Sequence, residues 1–371
     1  MGRGQAWIYC VRPHLKLCFC STLDPNLIFA VKSLTIVAKR SPGNETEEKN
    51  PRFPRGPASA FSPVCEVTLK RDLLDLSIII VNWNTRGLLE KCLRAVYGAA
   101  QGLAFEVFVV DNASTDGSPA MVRQRFPRVR LIENRANLGF ARASNQAIRA
   151  GRGRCVLLLN SDAFLTSQAV RHLLGCLQAD GQIGIAGAAL VDSHGRPQPS
   201  HGRLPSLPSE VLSLFGLDKL LSNPSSWVLT LPRIETGWVS GACLLARRSM
   251  LDQIGLLDES FFLFGEEVDL CCRARLAGWK VAHLPAARVV HIGGGSTGVN
   301  AQRILLLYRG KLRYFEKHFG RRVARRLWAA MGFTALCKLC LYSLLRLLSL
   351  GKVRKDALWR GVAGGRTGVQ A

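Results

Sequence analysis

Four short polar runs in this chain have residue types and spacings that can do chemistry. They are Asn82-Trp83-Asn84, Asp111-Asn112-Ala113-Ser114-Thr115-Asp116-Gly117, Asn160-Ser161-Asp162 and Glu266-Glu267-Val268-Asp269, and His291 stands apart beside three glycines. Carboxylate oxygen is the ligand a hard divalent cation prefers, and a positioned carboxylate can take the proton of a hydroxyl. The last three runs also have an ordinary structural use. Asp111 can close an Asx-turn, Ser114 and Asp116 suit local caps, and Asp162 can cap a helix beginning near Ser167. Glu266, Glu267 and Asp269 favour the positive end of the helix that follows them, and Asp269 with Arg273, four residues on, fits a helix-face ion pair. An isolated histidine such as His291 is more often structural than a ligand.

The elements that must hold these runs follow from the hydrophobic period. Short apolar runs predict strands at 76–81, 105–110, 129–132, 156–159 and 183–188, and helical periods between them predict helices at 88–96, 119–125, 140–149 and 169–177. Such alternation calls for an α/β fold with a mostly parallel sheet, because right-handed crossovers return each helix to a sheet face. Ligands of such sheets gather beyond the carboxyl ends of the strands. The first three polar runs close strands one, two and four, so they share one edge. Beyond a Pro-, Ser- and Gly-rich stretch at 192–232, the pattern predicts a strand over 238–246, a helix at 251–254, a helix ending near Gly278 and a last short strand over 289–291.

Composition narrows the function classes. Of 371 residues 48% are hydrophobic and 20% charged, so the chain can bury a sizeable core and is not disordered throughout. The net charge of +24 is uneven, since 303–360 holds 15 basic and 2 acidic residues while 1–70 holds 10 and 5. A uniformly basic nucleic-acid binder would not look like this, and no nucleic-acid partner is expected. In the tail the basic residues interleave with Leu, Trp, Phe and Tyr, which predicts two helices, 304–318 and 322–350, lying in a membrane surface. Packing against the rest of the chain is the alternative. The stretch 327–350 is long enough to span a bilayer, but Lys338 and Arg346 inside it are costly there.

Twelve cysteines lie scattered without a disulfide framework, which suits a reducing compartment. Cys92, Cys155, Cys176, Cys243, Cys271 and Cys272 fall in apolar runs as small buried hydrophobes, and the Cys337-x-x-Cys340 pair reads as helix packing. Residues 1–72 read as a poorly structured extension. The run 27–37 is broken by Lys32 and too short to span, 41–63 has linker composition, and no signal-peptide succession is present.

Seven stretches, taken together, resemble the family 2 glycosyltransferases, and among them the rhamnosyltransferase-like bacterial branch. They are VNWN (81–84), VVDNASTDGS (109–118), ENRANLGFARASN (133–145), LLLNSD (157–162), WVSGACLLARR (238–248), FFLFGEEVDLCCRARLAGW (261–279) and HIGGGS (291–296), and the likeness runs over 76–298. It implies the nucleotide-diphospho-sugar transferase fold, a Rossmann-like mostly parallel sheet, as a catalytic domain at 73–300 followed by the amphipathic helical tail at 301–371. The implied reaction is inverting transfer from a nucleotide-sugar donor, such as dTDP-rhamnose, to a glycan or lipid-linked acceptor in cell-surface polysaccharide synthesis. The implied location is peripheral, on the cytoplasmic face of the cell membrane.

On that resemblance Asp162 and His291 would hold a divalent cation, Mg2+ or Mn2+, that neutralises the leaving diphosphate. The family's usual acidic triplet reads Asn160-Ser161-Asp162 here, with a single carboxylate. Asp111, with Asn82 beside it, would accept hydrogen bonds from the nucleobase, and Asn160 belongs with these donor-side residues. Asn137 and Gly139 precede a helix whose free N–H groups would meet the donor's nucleotide or phosphates. Glu267 stands where relatives carry the Asp of a Glu-Asp pair and ranks first as general base, with Glu266 second. Trp238 and Trp279 suit sugar stacking or the core equally. The incomplete triplet and the Glu at the base position also admit a different class, a membrane-held sugar-nucleotide- or glycan-binding protein with little catalytic activity.

Overall fold

Uncharged runs of Ile, Val and Leu form the inner strands, because branched side chains fit a pleat buried on both faces. The computed structural model describes residues 7–8, 17–18, 74–217, 233–293 and 301–347, the side chains of the last stretch to residue 343. The chain divides into two compact units, Met1–Arg71 and Asp72–Ala371. In the first, the described residues are one antiparallel pair, β1 (Trp7–Ile8) with β2 (Leu17–Cys18). The 27–37 run and the 41–63 linker lie outside the described residues.

In the second unit, β3 (Leu76–Asn82), β4 (Phe105–Asp111), β5 (Arg130–Glu133) and β6 (Cys155–Asn160) pair in parallel. The helices between them are α1 (Arg86–Ala99), α2 (Ser118–Arg125) and α3 (Phe140–Ala150), and α4 (Ser167–Ala179) follows β6 and the short β7 (Ala163–Phe164). Register sets Asn82 opposite Asp111 and Val81 opposite Asn160, which brings the polar strand ends to one edge. Next come β8 (Ile183–Val191), β9 (His201–Gly202), α5 (Leu207–Leu214), β10 (Ile234–Glu235), β11 (Trp238–Val239) and β12 (Cys243–Arg247). After these lie α6 (Arg248–Ile254), α7 (Glu266–Leu276), β13 (Lys280–His291), α8 (Ala301–Phe319) and α9 (Arg321–Leu347). The main sheet runs β10-β13-β8-β12-β6-β3-β4-β5, with β7 against β13.

Two predicted strands need correction. The single strand expected over 238–246 is two: β11 pairs with β9 in a separate ribbon, while β12 enters the main sheet antiparallel to both β6 and β8. Ser240-Gly241-Ala242 makes the break. The last strand is not confined to 289–291 but runs twelve residues, and Pro285 hid it. Its pairing with β8 shifts register between Leu284 and Arg288, where a proline is tolerated.

Alternation along β3 divides the core. Ile78 and Ile80 face Leu89, Leu93 and Leu173 of α1 and α4, whereas Ile79 faces Ala147 and Ile148 of α3 and Leu270 of α7. Full burial of each Ile or Leu side chain among these is worth about 1.5–3 kcal/mol. A third cluster joins Phe261 and Cys272 to Tyr314 and Phe315 of α8 and Leu327 of α9, so part of the basic tail is core. Outside that cluster α9 keeps Trp328, Phe333, Leu336, Leu339 and Leu341 exposed. Cys337 and Cys340 are exposed as well, which corrects their reading as packing positions. No described helix is long and apolar enough to cross a membrane.

Candidate active site

The edge where β3, β4 and β6 end is tied together by side chains. Asn82 Nδ2 donates to Asp111 Oδ1 at 2.8 Å and to Ser114 Oγ at 3.1 Å. Asp111 Oδ2 accepts from the Ser114 N–H at 2.8 Å, so the Asx-turn forms. Thr85 Oγ1 sits 2.6 Å from Asn82 Oδ1 and 2.8 Å from Ser161 Oγ, joining β3 to the loop after β6. Asn82 and Asp111 are buried beneath this edge. Among the described residues the non-glycines with positive φ are Asn84, Ala113 and Phe264, and all three lie in loops of this region. Strained backbone concentrates where surrounding structure holds a functional geometry.

Asp162 and His291, 129 residues apart, meet because β7 pairs with β13 and sets Ala163 opposite His291. His291 Nε2 lies 3.4 Å from Asp162 Oδ1, and Asp162 Oδ2 accepts from the Gly293 N–H at 3.1 Å. Asn160 Nδ2 stands 3.4 Å from the same imidazole nitrogen. Gln198 brackets the histidine: its Nε2 donates to the His291 carbonyl at 2.8 Å, which turns its Oε1 toward His291 Nδ1 at 2.9 Å. Since Oε1 can only accept, Nδ1 carries a proton, and Nε2 is the ring nitrogen turned toward Asp162. The helix-cap alternative for Asp162 does not hold, because Thr166 is the N-cap of α4, accepting from the Ala169 N–H at 3.1 Å.

This pair suits a divalent cation by chemistry, a carboxylate oxygen beside an imidazole nitrogen whose ring is oriented by Gln198 at Nδ1. Among the described residues no third His, Cys, Asp or Glu joins them. A cation held here would complete its shell with phosphate and water oxygens.

Glu266 and Glu267 open α7 directly after Gly265. Glu267 Oε2 accepts from the Gly265 N–H at 3.2 Å, while Glu266 is buried with Oε2 lacking a hydrogen-bond partner. Burial raises both carboxyl pKa values, that of Glu266 well above the ordinary range with the Glu267 charge adding to it. Gly241 lies against the Glu267 side chain, and the neighbouring Ala242 carbonyl accepts from the Asn160 N–H at 3.0 Å. The start of α7 and the end of β6 therefore share this edge. Asp269 belongs to the scaffold. The expected helix-face ion pair with Arg273 forms at 2.8 Å, and the wholly buried carboxylate also meets Lys317 at 2.7 Å and His318 at 2.8 Å from α8.

Asn137 Oδ1 accepts from the Gly139 N–H at 3.0 Å, closing the turn into α3. Gly139 has φ +80°, and a Cβ there would strike the Phe262 carbonyl, which already accepts from the Phe140 N–H at 2.7 Å. The first N–H of α3 is thus spent on the loop before Glu266 rather than left for a phosphate. Trp238 and Trp279 both pack on the core, with Trp279 Nε1 donating to Gln253 at 2.8 Å. Sequence reasoning missed Thr85 and Gln198. Gln198 lies in the stretch without period, and only its contact across 93 residues reveals it.

Comparison with known proteins agrees with this architecture. The profile of Glycosyl transferase family 2 matches residues 77–255. An N-acetylglucosaminyl-diphospho-decaprenol L-rhamnosyltransferase of Mycobacterium tuberculosis is 31% identical over 284 residues, covering 70% of this chain and 91% of that protein. The low-salt glycan biosynthesis hexosyltransferase Agl10 of Haloferax volcanii is 27% identical, over 63% of this chain and 72% of its own. The mannosyltransferase PcManGT of Pyrobaculum calidifontis, solved with GDP-Man and Mn2+, shares the fold at a TM-score of 0.50 and 18% identity, covering 79% of this chain and 86% of that one.

Proposed function

The chain belongs to the family 2 glycosyltransferases and is rhamnosyltransferase-like, and from that premise we propose that it transfers a deoxyhexose, with inversion, from a donor such as dTDP-rhamnose to a saccharide-diphospho-lipid. The acceptor class rests on the name of the mycobacterial relative, which covers nearly its whole length. The observation that carries the mechanism is the Asp162–His291 pair, with Gln198 orienting the imidazole ring, on the same edge as Glu267.

Asp162 and His291 would hold a divalent cation, which supplies charge neutralisation for the departing diphosphate. The Glu267 carboxylate takes the proton of the acceptor hydroxyl as its oxygen attacks the anomeric carbon from the face opposite the leaving group. Burial of that carboxyl makes it a stronger base than a solvated glutamate. Asn82 and Asp111 shape the floor under the nucleotide, and the turn at Asn137 and Gly139 closes one side. Exposed apolar and basic residues on α9 support peripheral attachment to a membrane surface.

The test is a panel of sugar nucleotides, offered with Mg2+ or Mn2+ and N-acetylglucosaminyl-diphospho-decaprenol and read by nucleoside diphosphate release. Release with a deoxyhexose donor supports the reading. Silence across the panel overturns it.

A further inference from the structure

A groove of about 750 Å3 opens between α5, α8 and α9. Ile304, Tyr308 and Leu312 line one wall at helical spacing, and Trp328, Ala335 and Leu339 line the other. Trp328 is 67% and Leu339 61% exposed, unusual for side chains of this size on a helix that also enters the core. Basic groups stand at the apolar trough: Arg309 and Lys338 line it, and Lys338 Nζ is held by the Leu214 carbonyl at 3.1 Å. Exposed Arg322, Arg325 and Arg326 add charge at the start of α9.

The helix that forms one wall also backs the loop before the proposed base. Gly310 is pressed against the Phe264 backbone so closely that a Cβ would strike the Phe264 carbonyl. The Arg303 guanidinium lies 5.8 Å from the centre of the Phe264 ring, and Phe264 precedes Glu266 by two residues. Helix α8 therefore forms one wall of the trough and also contacts the loop that leads into Glu266 and Glu267.

We propose that this groove holds the isoprenoid chain of the lipid-diphosphate acceptor and so delivers its saccharide to Glu267, an inference that rests on the acceptor class proposed above. A ligand apolar along its length and anionic at one end needs an apolar trough with basic groups beside it, and both are present. A second copy of this chain would set one strongly basic tail against another, which like-charge repulsion opposes. A flat bilayer surface cannot fill a concavity, and Phe333, Leu336 and Leu341, outside the groove lining, are what α9 offers to such a surface.

The experiment uses the full chain, the donor from the screen, and N-acetylglucosaminyl-diphospho acceptors with ten or two isoprene units. Wild type should favour the long acceptor by about tenfold or more in kcat/KM. Ala335→Trp, which fills the trough, and Leu339→Glu, which charges it, should bring the two acceptors to within about twofold while short-acceptor turnover persists, showing a folded enzyme. Without donor, benzophenone-bearing farnesyl diphosphate should label a peptide within 301–347, and Ala335→Trp should abolish that labelling. Equal kcat/KM for both acceptors in wild type, equal losses on both in the variants, or labelling displaced by anionic vesicles free of isoprenoid would overturn the groove while the transferase reading stands. No nucleotide release from either acceptor with any donor would overturn that reading instead, and the labelling would then decide the groove alone.

Discussion

His318 Nε2 lies 2.8 Å from Asp269 Oδ1, and Arg273 Nε holds the other oxygen of that fully buried carboxylate at 2.8 Å. A helix of the basic tail thereby supplies a partner to the helix whose first turn carries the proposed base Glu267. Asp269→Ala removes the anion shared by Arg273, Lys317 and His318, and because these partners keep some contact with water the loss should be about 2–4 kcal/mol. His318→Ala should cost less, about 1–3 kcal/mol, because Lys317 still reaches the carboxylate. Urea unfolding measures both, and unchanged midpoints would show that the pair does not hold α8 to α7.

Glu267→Gln keeps size and hydrogen bonding but cannot take a proton, so kcat should fall by about 10²–10⁴ with donor affinity retained. Burial raises the carboxyl pKa, so the base loses its proton only above the ordinary glutamate value of 4.5 and kcat should climb with pH in that window. The acid limb should vanish in the residual activity of Glu267→Gln. If Glu266→Gln gives the fall instead, the two glutamates exchange roles.

Glu266 makes a separate prediction for stability. Its folded pKa lies above the unfolded value of 4.5, so the folded state binds the extra proton; the stabilisation is full below 4.5 and is lost as pH rises through the folded pKa. Glu266→Gln, which mimics the protonated form, should raise Tm at pH 8 and change it little at pH 4. Melting across that range checks the sign, and a uniform shift at all pH values would refute the assignment.

EDTA should abolish turnover, and Asp162→Ala and His291→Ala should each do so with metal present. Gln198→Leu removes the acceptor that orients the His291 ring and should weaken metal affinity by about 10–100-fold. Its activity should return as Mn2+ is raised, whereas His291→Ala should stay inactive. Full activity in EDTA would remove the cation from the mechanism.

The parallel half of the sheet is legible in the sequence because Ile78-Ile79-Ile80 and Val107–Val110 are uninterrupted apolar runs, each closed by a polar cluster. The antiparallel placement of β12 is not, since Cys243 to Ala246 reads as the same apolar run in either direction. β13 was hidden by Pro285 and the small residues at its bulge. The pairing of Asp162 with His291 followed only from resemblance, because nothing local links residues 129 apart. Gln198 and Thr85 left no trace at all, as each acts through one side chain reaching across the fold. The tail's period revealed its helices but not that Phe315 and Leu327 would be buried while Trp328 stayed open.

The contact of Gly310 with the Phe264 backbone sets a rule for recombination. Residues 301–347 cannot be grafted from a relative that carries a side chain at the 310 position unless the 261–265 loop comes with them. For any exchange of segments the tail and that loop therefore count as one unit, to be moved together.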